Sequence, residues 1–170
     1  MTLRGFLSSN GFLIGIVFVV LLAWVRSRSA HRVMPIDPSH PRWSEAVARA
    51  RNTLNDMRRL FADGFDVYVK YPVHTKSGTI EHVWGKLLEL SPESMKVTLE
   101  TPLIMPLPPD TAPPFSIAVA EIEDWQVLQA DNKVRGGYTT RLQIEVAREQ
   151  GARLPAHIAA LEGRFIDGPN

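Results

Sequence analysis

The stretch FDVYVKYPVHTKSGTIEHVWGKLLEL, residues 65–90, decides the fold of this chain. Polar and apolar side chains alternate through residues 65–73, which is the period of a strand with one buried face. Residues 74–78, HTKSG, have the composition of a turn, and residues 80–90 form a second strand pattern. We therefore expect two strands of an antiparallel sheet here, and the remaining elements are arranged around them.

Three further strands are predicted downstream. They are residues 95–101, residues 133–143, and residues 115–129 with a bend near Glu121. The intervening residues 102–114 hold six prolines and cannot be an interior strand, because proline donates no ladder hydrogen bond. Gly136-Gly137 in the last strand indicates a bulge or a close approach of another backbone. The pattern as a whole predicts a curved sheet of about five strands.

An amphipathic helix precedes these strands. Its apolar stripe recurs at steps of three and four residues and consists of Trp43, Val47, Ala50, Leu54, Met57 and Phe61. Residues 144–165 add helical patterns interrupted by Gly151 and Pro155. The predicted fold class is therefore α+β, with the amphipathic helix packed on a curved antiparallel sheet and a helix added at the C-terminus.

The amino-terminal region contains an uncharged segment that is long enough to span a membrane. Residues 5–25, GFLSSNGFLIGIVFVVLLAWV, contain no charge, and a helix of this length is about 30 Å long, which matches the hydrocarbon core of a bilayer. The run ends in WVR rather than a small-residue cleavage site, so residues 1–25 are expected to be a retained single-pass anchor rather than a cleaved signal peptide. Gly11 and Gly15 form a GxxxG pattern, which would permit a homodimer or simply face lipid.

The charges beside this segment predict its orientation. Arg26, Arg28 and Arg32 follow it, whereas Arg4 and the amino terminus precede it. The positive-inside rule then favours a cytoplasmic carboxyl-terminal domain. We divide the chain into an anchor (1–25), a tether (26–41), an α+β domain (42–142) and a C-terminal helical extension (143–170).

The composition excludes one class of partner. The net charge is +1, so the chain lacks the strongly basic field of a nucleic-acid-binding protein. Residues 26–59 nevertheless hold eight arginines, which suit either anionic lipid headgroups or an ordinary solvated helix face. No cysteine is present, which fits a reducing compartment without excluding an oxidising one.

Several short motifs occur in an order that resembles a known family. They are ARNTL (50–54), EHVW (81–84), DW (124–125) and GGYTTR (136–141). Asp37-Pro38 precedes all four motifs, and Thr101-Pro102 lies between EHVW and DW. Over about residues 37–142 the chain resembles the YegJ-like bacterial family of unknown function, whose members also occur fused to ankyrin repeats. The resemblance implies a compact α+β domain with an accessory role and no established activity. The anchor, the proline-rich loop 102–114 and the C-terminal helices depart from the family pattern.

The candidate binding residues come from these motifs and are His82, Trp84, Trp125, Tyr138 and Arg141. His82 and Trp84 point to one face of their strand, and aromatic and arginine side chains dominate the energetics of protein interfaces. The competing interpretation is structural. In that interpretation Trp84 is packed in the fold, His82 is hydrogen-bonded, and an ion pair between Arg141 and Asp124 joins two strands.

Catalytic chemistry has little support in the sequence. Glu81 and His82 are adjacent on a strand and point to opposite faces, so they cannot ligate one metal ion together. The other histidines are scattered without ligand spacing, and the chain has neither a GxSxG motif nor a phosphate-binding loop. We therefore predict no catalytic residue, no metal site and no cofactor.

The leading hypothesis is a membrane-anchored accessory module that recruits a protein partner, located in the bacterial inner membrane with its domain in the cytoplasm. One alternative is an enzyme whose polar pocket contains His82, Tyr138 and Arg141. Another is an immunity-type protein that neutralises a toxin. A pocket with converging polar groups would favour the enzyme, and an exposed patch around Trp84 or Trp125 would favour the binding module.

Overall fold

The computed structural model describes residues 38–166, which belong to one compact unit. The predicted anchor of residues 1–25, with its glycine pair, and the tether up to residue 37 lie outside the described residues. Within residues 38–166, every helix is too short or too polar to cross a bilayer. The fold below is therefore that of the predicted α+β domain and most of its C-terminal extension.

Residues 38–166 contain four α-helices and seven strands, which confirms the α+β class. The helices are α1 (Pro41–Asn52), α2 (Leu54–Ala62), α3 (Tyr138–Glu149) and α4 (Ala156–Ala159). The strands are β1 (Val67–His74), β2 (Ile80–Leu90), β3 (Ser94–Val97), β4 (Phe115–Ala118), β5 (Asp124–Leu128), β6 (Val134–Gly136) and β7 (Phe165–Ile166). A 3₁₀ turn, Val119–Glu121, lies between β4 and β5.

The strands form one sheet in the order β4–β3–β2–β1–β5–β6–β7. β1 and β2 pair along most of their length, as the alternation in residues 65–90 predicts, with Val69 opposite Gly85. The pairs are antiparallel except for β6 and β7, which are parallel. The sheet of the described residues is therefore mixed and seven-stranded, not antiparallel with about five strands. Strand β7 was missed because two residues are too few to leave a periodic pattern.

The sheet curves strongly between its two halves. β4 lies at one edge and β5 lies beyond β1, although only residues 119–123 connect them. In a flat sheet, strands about 4.8 Å apart would separate Tyr71 of β1 from Phe115 of β4 by roughly 14 Å. The centroids of these two rings are 6.2 Å apart, so the rings meet across a concave face.

The main hydrophobic core lies on this concave face, here called the core face. Helices α1 and α2 cover it through side chains that include Met57 and Leu60. The largest fully buried side chain is Trp125 of β5, which is 2% exposed. Full burial of a large apolar side chain stabilises a fold by about 1.5–3 kcal/mol. The core face also contains Ala50, Val67, Val69, Tyr71, Val83, Val97, Ile122 and Val127.

A second apolar cluster joins α1 to α3, and several arginines make contacts around the two helices. The cluster consists of Trp43, Ala46, Leu142 and Val146. Arg42 forms ion pairs with Glu145 and Glu149, and Arg51 donates a hydrogen bond of 3.0 Å to the Ile122 carbonyl oxygen. Arg42 and Arg51 therefore make contacts within the domain, a role that differs from both expectations for the basic segment, anionic lipid headgroups and a solvated helix face.

The predicted amphipathic helix is divided in two at Thr53. The Thr53 hydroxyl donates to the carbonyl oxygens of Arg49 and Ala50, at 3.1 and 3.0 Å. The indole N–H of Trp125 donates to the same Ala50 carbonyl at 3.2 Å. Side-chain donors thus occupy carbonyls at the end of α1, and this competition with the helical ladder separates α1 from α2.

Two predicted strands are also corrected. Residues 115–129 form two strands rather than one bent strand, because β4 pairs with β3 and β5 pairs with β1. Residues 133–143 form only the three-residue β6, after which α3 begins at Tyr138. Gly136 and Gly137 both have left-handed φ angles, +74° and +69°, which turn the chain out of the sheet and into the helix.

Candidate functional site

The convex side of β1 and β2 carries polar and aromatic side chains. Their register pairs are Tyr68–Lys86, Lys70–Trp84 and Pro72–His82. Residues that are paired directly project from the same side of a sheet, so all six share one surface, here called the Trp84 face. Each of them is partly exposed, whereas the residues between them in β1 and β2 are buried.

His82 is held by partners on two sides. Its Nδ1 atom lies 2.7 Å from a carboxylate oxygen of Glu123, which precedes β5. Its ring packs edge-on against the Trp43 ring, with the centroids 5.7 Å apart. The hydrogen-bonded histidine of the structural interpretation is therefore present, and its ring orientation is set by the fold.

Lys70 lies beside this pair with its ammonium group enclosed. The Nζ atom is 4.6 Å from the centroid of the Trp43 ring and 3.4 Å from the Thr139 hydroxyl oxygen. Desolvation by burial lowers the pKa of Lys70, and the nearby charges of Asp124 and Glu123 oppose that change. Lys70 therefore holds its proton less firmly than a lysine in water does.

Asp124 is fully buried and organises the start of α3. Its carboxylate accepts hydrogen bonds from the backbone N–H groups of Trp125 (2.8 Å), Tyr138 (3.1 Å) and Thr139 (2.7 Å), and from the Thr139 hydroxyl (2.7 Å). Burial raises the pKa of Asp124, while the Thr139 hydrogen bonds and the Lys70 charge act in the opposite direction. A carboxylate at this position satisfies free N–H groups of the helix and interacts favourably with its dipole. Asp124 is therefore a cap for α3 supplied by a neighbouring strand.

The glycine pair brings the DW and GGYTTR motifs together. A Cβ atom on Gly136 would lie 2.1 Å from the Trp125 carbonyl oxygen, and one on Gly137 would lie 2.7 Å from the Phe165 ring. The Gly137 N–H donates to the same Trp125 carbonyl at 2.7 Å. The predicted close approach of another backbone is confirmed, and it explains why this position requires glycine.

The five predicted binding residues do not share one surface. His82 and Trp84 both lie on the Trp84 face. Trp125 lies on the core face, where its indole N–H also donates to the Thr53 hydroxyl at 3.0 Å. Trp125 is therefore part of the core rather than of an exposed patch.

Tyr138 and Arg141 lie in the first turn of α3 rather than on a strand. The Tyr138 ring packs edge-on against the core tryptophan, with the centroids 6.5 Å apart. Arg141 donates to the carbonyl oxygens of Gly136 (3.1 Å) and Ile166 (2.9 Å), and its guanidinium lies over the Tyr138 ring. Arg141 thus joins α3 to β6 and β7, while Asp124, its expected ion-pair partner, caps the helix.

The EHVW motif also holds the proline-rich loop in place. The Glu81 carboxylate accepts hydrogen bonds from the N–H groups of Ile104 (2.8 Å) and Met105 (2.7 Å). The Trp84 N–H donates to the Thr101 hydroxyl oxygen at 3.2 Å, just before this loop begins. The motif therefore carries the Trp84 face on one side of its strand and fastens the loop on the other.

Three residues that surround His82 were not assigned to the site from sequence. Trp43 was placed in the apolar stripe of the helix, while Lys70 and Glu123 belong to no motif. The alternation in residues 65–73 places Lys70 on the face opposite the core, and this is the sequence feature that could have assigned Lys70 to the site. Its position beside Trp84 follows only from the register of β1 and β2.

A surface depression of the described residues lies away from the predicted positions. It is lined by the β2–β3 turn (91–94) and by residues 116–118, and its lining includes none of His82, Tyr138 and Arg141. Within residues 38–166, no three histidine or acidic side chains are grouped closely enough to hold a metal ion. The Trp84 face offers aromatic contact and hydrogen bonding, and it also carries the His82–Glu123 pair beside Lys70.

Most of the domain matches a known bacterial family. Residues 42–152 match the model of the family described as an uncharacterized protein conserved in bacteria (DUF2314). The matched range includes α1 except for Pro41, the whole Trp84 face, the Asp124 cap and all of α3. Neither a curated protein nor a solved structure matches the chain. Because the match covers well over half of the sequence, the chain belongs to the bacterial DUF2314 family.

Proposed function

We propose that this protein is a membrane-anchored accessory module whose Trp84 face binds a protein partner. The observation that carries the proposal is the partly exposed indole of Trp84 in the middle of β2, directly beside β1. Large aromatic side chains that are incompletely covered in a free protein are the usual anchors of protein interfaces.

The neighbours of Trp84 support this role. Tyr68 adds a second partly exposed ring, and Lys86, held by an ion pair of 2.7 Å to Asp66, adds a charge at the rim. His82 and Trp84 are carried by a strand that pairs on both sides, so little conformational entropy is lost when a partner docks. The surface is therefore preorganised.

The anchor and the location belong to the same proposal. Residues 1–25 would insert in the bacterial inner membrane, with the domain in the cytoplasm, on the basis of the uncharged run and of Arg26, Arg28 and Arg32 after it. Gly11 and Gly15 would permit pairing of two anchors. The motifs of the chain resemble those of YegJ-like proteins, and the fusion of such proteins to ankyrin repeats would suit a recruiting role.

An enzyme is the second candidate, and one observation favours it. The His82–Glu123 pair lies beside Lys70, whose pKa is lowered by burial, and such a group of titratable side chains is a common arrangement for acid–base chemistry. This candidate active site consists of His82, Glu123 and Lys70 instead of the expected pocket of His82, Tyr138 and Arg141. The Tyr138 and Arg141 side chains make contacts within the fold. An immunity-type protein would use the same Trp84 face, with a toxin as its partner.

The proposal is tested by crosslinking in intact cells. A photo-reactive phenylalanine analogue is placed at Tyr68 on the Trp84 face or, as a matched control, at the exposed Asn55 of α2, the helix that covers the core face. We expect a discrete crosslinked protein from position 68 and not from position 55, and we expect Trp84→Ala to abolish the product. Equal products from the two positions, or a product at 68 that survives Trp84→Ala in a folded protein, would refute the binding surface.

A second variant separates binding from catalysis. Glu123→Gln keeps a hydrogen-bond acceptor beside His82 but removes the carboxylate that an acid–base pair requires. A binding module should retain its crosslinked partner and its cellular role in this variant. Retention of the partner with loss of the cellular role would favour the enzyme.

A further inference from the structure

The proline-rich loop presents apolar side chains to solvent at one end of the sheet. Ile104 is 88% exposed, Met105 is 39% exposed, and Ile80, the first residue of β2, is 50% exposed. Ile80 directly precedes Glu81, which binds the backbone of Ile104 and Met105. Ile104 and Met105, here called the Ile104 patch, therefore lie at the end of β2 where Ile80 begins the strand, and Ile80 itself projects from the opposite side of the strand. Exposed apolar groups of this kind mark sites of interaction with a protein or a membrane.

The exposure of this patch is set by the fold. Leu103 and Leu107, on either side of the two exposed residues, pack against the core cluster. The backbone between them is fastened by Glu81 and by a hydrogen bond of 2.9 Å from the Lys76 N–H to the Pro106 carbonyl oxygen. Prolines restrict the remaining φ angles. The loop therefore holds Ile104 and Met105 outward while its flanking leucines point inward.

The chain joins the domain at the same end of the sheet. Helix α1 begins at Pro41, and its Trp43 ring lies against His82, two residues after the start of β2. Two residues of a strand span about 7 Å, so the start of α1 lies near the end of β2 that carries the Ile104 patch. Residues 26–37, between the proposed anchor and the described chain, span at most about 40 Å when fully extended.

We propose that the Ile104 patch inserts into the headgroup region of the lipid bilayer. This inference rests on the proposed membrane anchor, since residues 26–37 would limit how far this end of the sheet can lie from lipid. Short apolar side chains on a rigid loop enter the boundary between headgroups and acyl chains, where apolar area is removed from water. Lys76, exposed in the turn that is bonded to the loop, supplies a positive charge suited to anionic headgroups.

The consequence is an orientation for the Trp84 face. Contact at the Ile104 patch as well as through the anchor would fix the domain at two points on the membrane. β2 would then run away from the bilayer, and Trp84, four residues beyond Ile80, would lie just above the headgroups. A partner recruited by this face would be held at the membrane surface.

The absence of cysteine makes a direct test possible, because a single introduced cysteine can be labelled uniquely. The full chain is reconstituted in vesicles of phosphatidylethanolamine and phosphatidylglycerol, with an environment-sensitive fluorophore at Ile104→Cys. The matched control is Leu128→Cys, which is 56% exposed and lies beside Val127, the partner of Val67 at the opposite end of β1. The vesicles contain a quencher attached near the top of the acyl chains.

We expect a blue-shifted emission and severalfold stronger quenching at position 104 than at position 128. Flotation of the same vesicles after carbonate treatment reports on the anchor independently. Flotation with equal quenching at the two positions would overturn the lipid contact and leave the anchor in place. A blue shift at position 104 without quenching would also overturn it, because it would show that the patch is covered by protein, either a second copy or another partner.

Discussion

Tyr71 and Lys70 are neighbours in β1 but lie on opposite faces of the sheet, and their polar groups differ in whether they have partners. Tyr71 is fully buried on the core face, and its hydroxyl has no hydrogen-bond partner among the described residues. Lys70 on the Trp84 face contacts Trp43 and Thr139 and lies near two carboxylates. The core face buries a polar atom among apolar side chains, whereas on the Trp84 face the enclosed ammonium group of the partly exposed Lys70 has specific partners.

The core face thus contributes mainly to the stability of the domain, whereas the Trp84 face is available for recognition. On the core face, side chains such as Trp125 contribute through apolar area removed from water, so their loss leaves a cavity. On the Trp84 face, the aromatic rings of Trp84 and Tyr68 remain partly in water. The domain can therefore lose a ring from the Trp84 face and still fold, which is what a binding surface requires.

The largest expected effect comes from removing the central side chain of the core face. Trp125→Ala should lower the free energy of unfolding by about 3–5 kcal/mol, because it leaves a cavity and frees the hydrogen-bond acceptors of Ala50 and Thr53. Urea unfolding followed by circular dichroism measures this loss. Leu128→Ala, at an exposed position three residues later, should change it by less than about 0.5 kcal/mol. Equal losses would mean that the core face is wrongly assigned.

Removal of the buried cap should have the next largest effect. Asp124→Ala leaves the N–H groups of Tyr138 and Thr139 without their acceptor and should cost about 2–3 kcal/mol. Asp131→Ala is the matched control, because its ion pair with Lys133 is on the surface and contributes little. Thermal melting of both variants measures the difference, and similar melting temperatures would contradict the capping role.

The corresponding tryptophan on the other face should matter much less for folding. Trp84→Ala should lower the free energy of unfolding by about 1 kcal/mol, since the ring is partly exposed in the folded state. The same urea titration compares it directly with Trp125→Ala. A loss as large as that of Trp125→Ala would make Trp84 a structural residue and remove the basis for the proposed binding surface.

Lys70 should make stability rise with pH in the alkaline range. Burial lowers its pKa below the ordinary value of 10.5, so the unfolded chain binds this proton more tightly than the folded chain does. The free energy of unfolding therefore increases as the pH rises from the lowered pKa towards 10.5. Lys70→Met should remove this contribution, whereas the exposed Lys76→Met should not. Identical pH profiles for wild type and Lys70→Met would show that Lys70 is not desolvated.

Tyr71 should have the smallest effect at neutral pH and the opposite dependence at high pH. Tyr71→Phe removes only a hydroxyl without a partner among the described residues, so the change at pH 7 should be within about 0.5 kcal/mol. Burial raises the pKa of Tyr71 from 10.0 to about 12, so the folded chain keeps a proton that the unfolded chain loses. Stability should therefore fall between these pH values in wild type and fall less in Tyr71→Phe. A Tyr68→Phe variant, altered on the Trp84 face, is the control.

Some of the candidate site was within reach of sequence reasoning, and some was not. Alternation placed His82 and Trp84 on one face correctly, because side-chain direction in a strand depends only on position. The family-like motifs, together with the strand expected over residues 133–143, grouped them with Tyr138 and Arg141, which belong to a helix. Local composition in residues 133–143 favours a strand, and a contact from another part of the chain overrides it.

The sequence alone determined the α+β class and the pairing of residues 65–73 with 80–90, and for Gly136-Gly137 it indicated either a bulge or a close approach of another backbone. Each follows from local chemistry: the period of two, the length of a turn, and the absence of a Cβ atom. Only the tertiary structure decided that α3 begins at Tyr138, because the carboxylate that caps it comes from Asp124 in β5. It also decided that one tryptophan is core and another is surface, since burial depends on which face the helices cover.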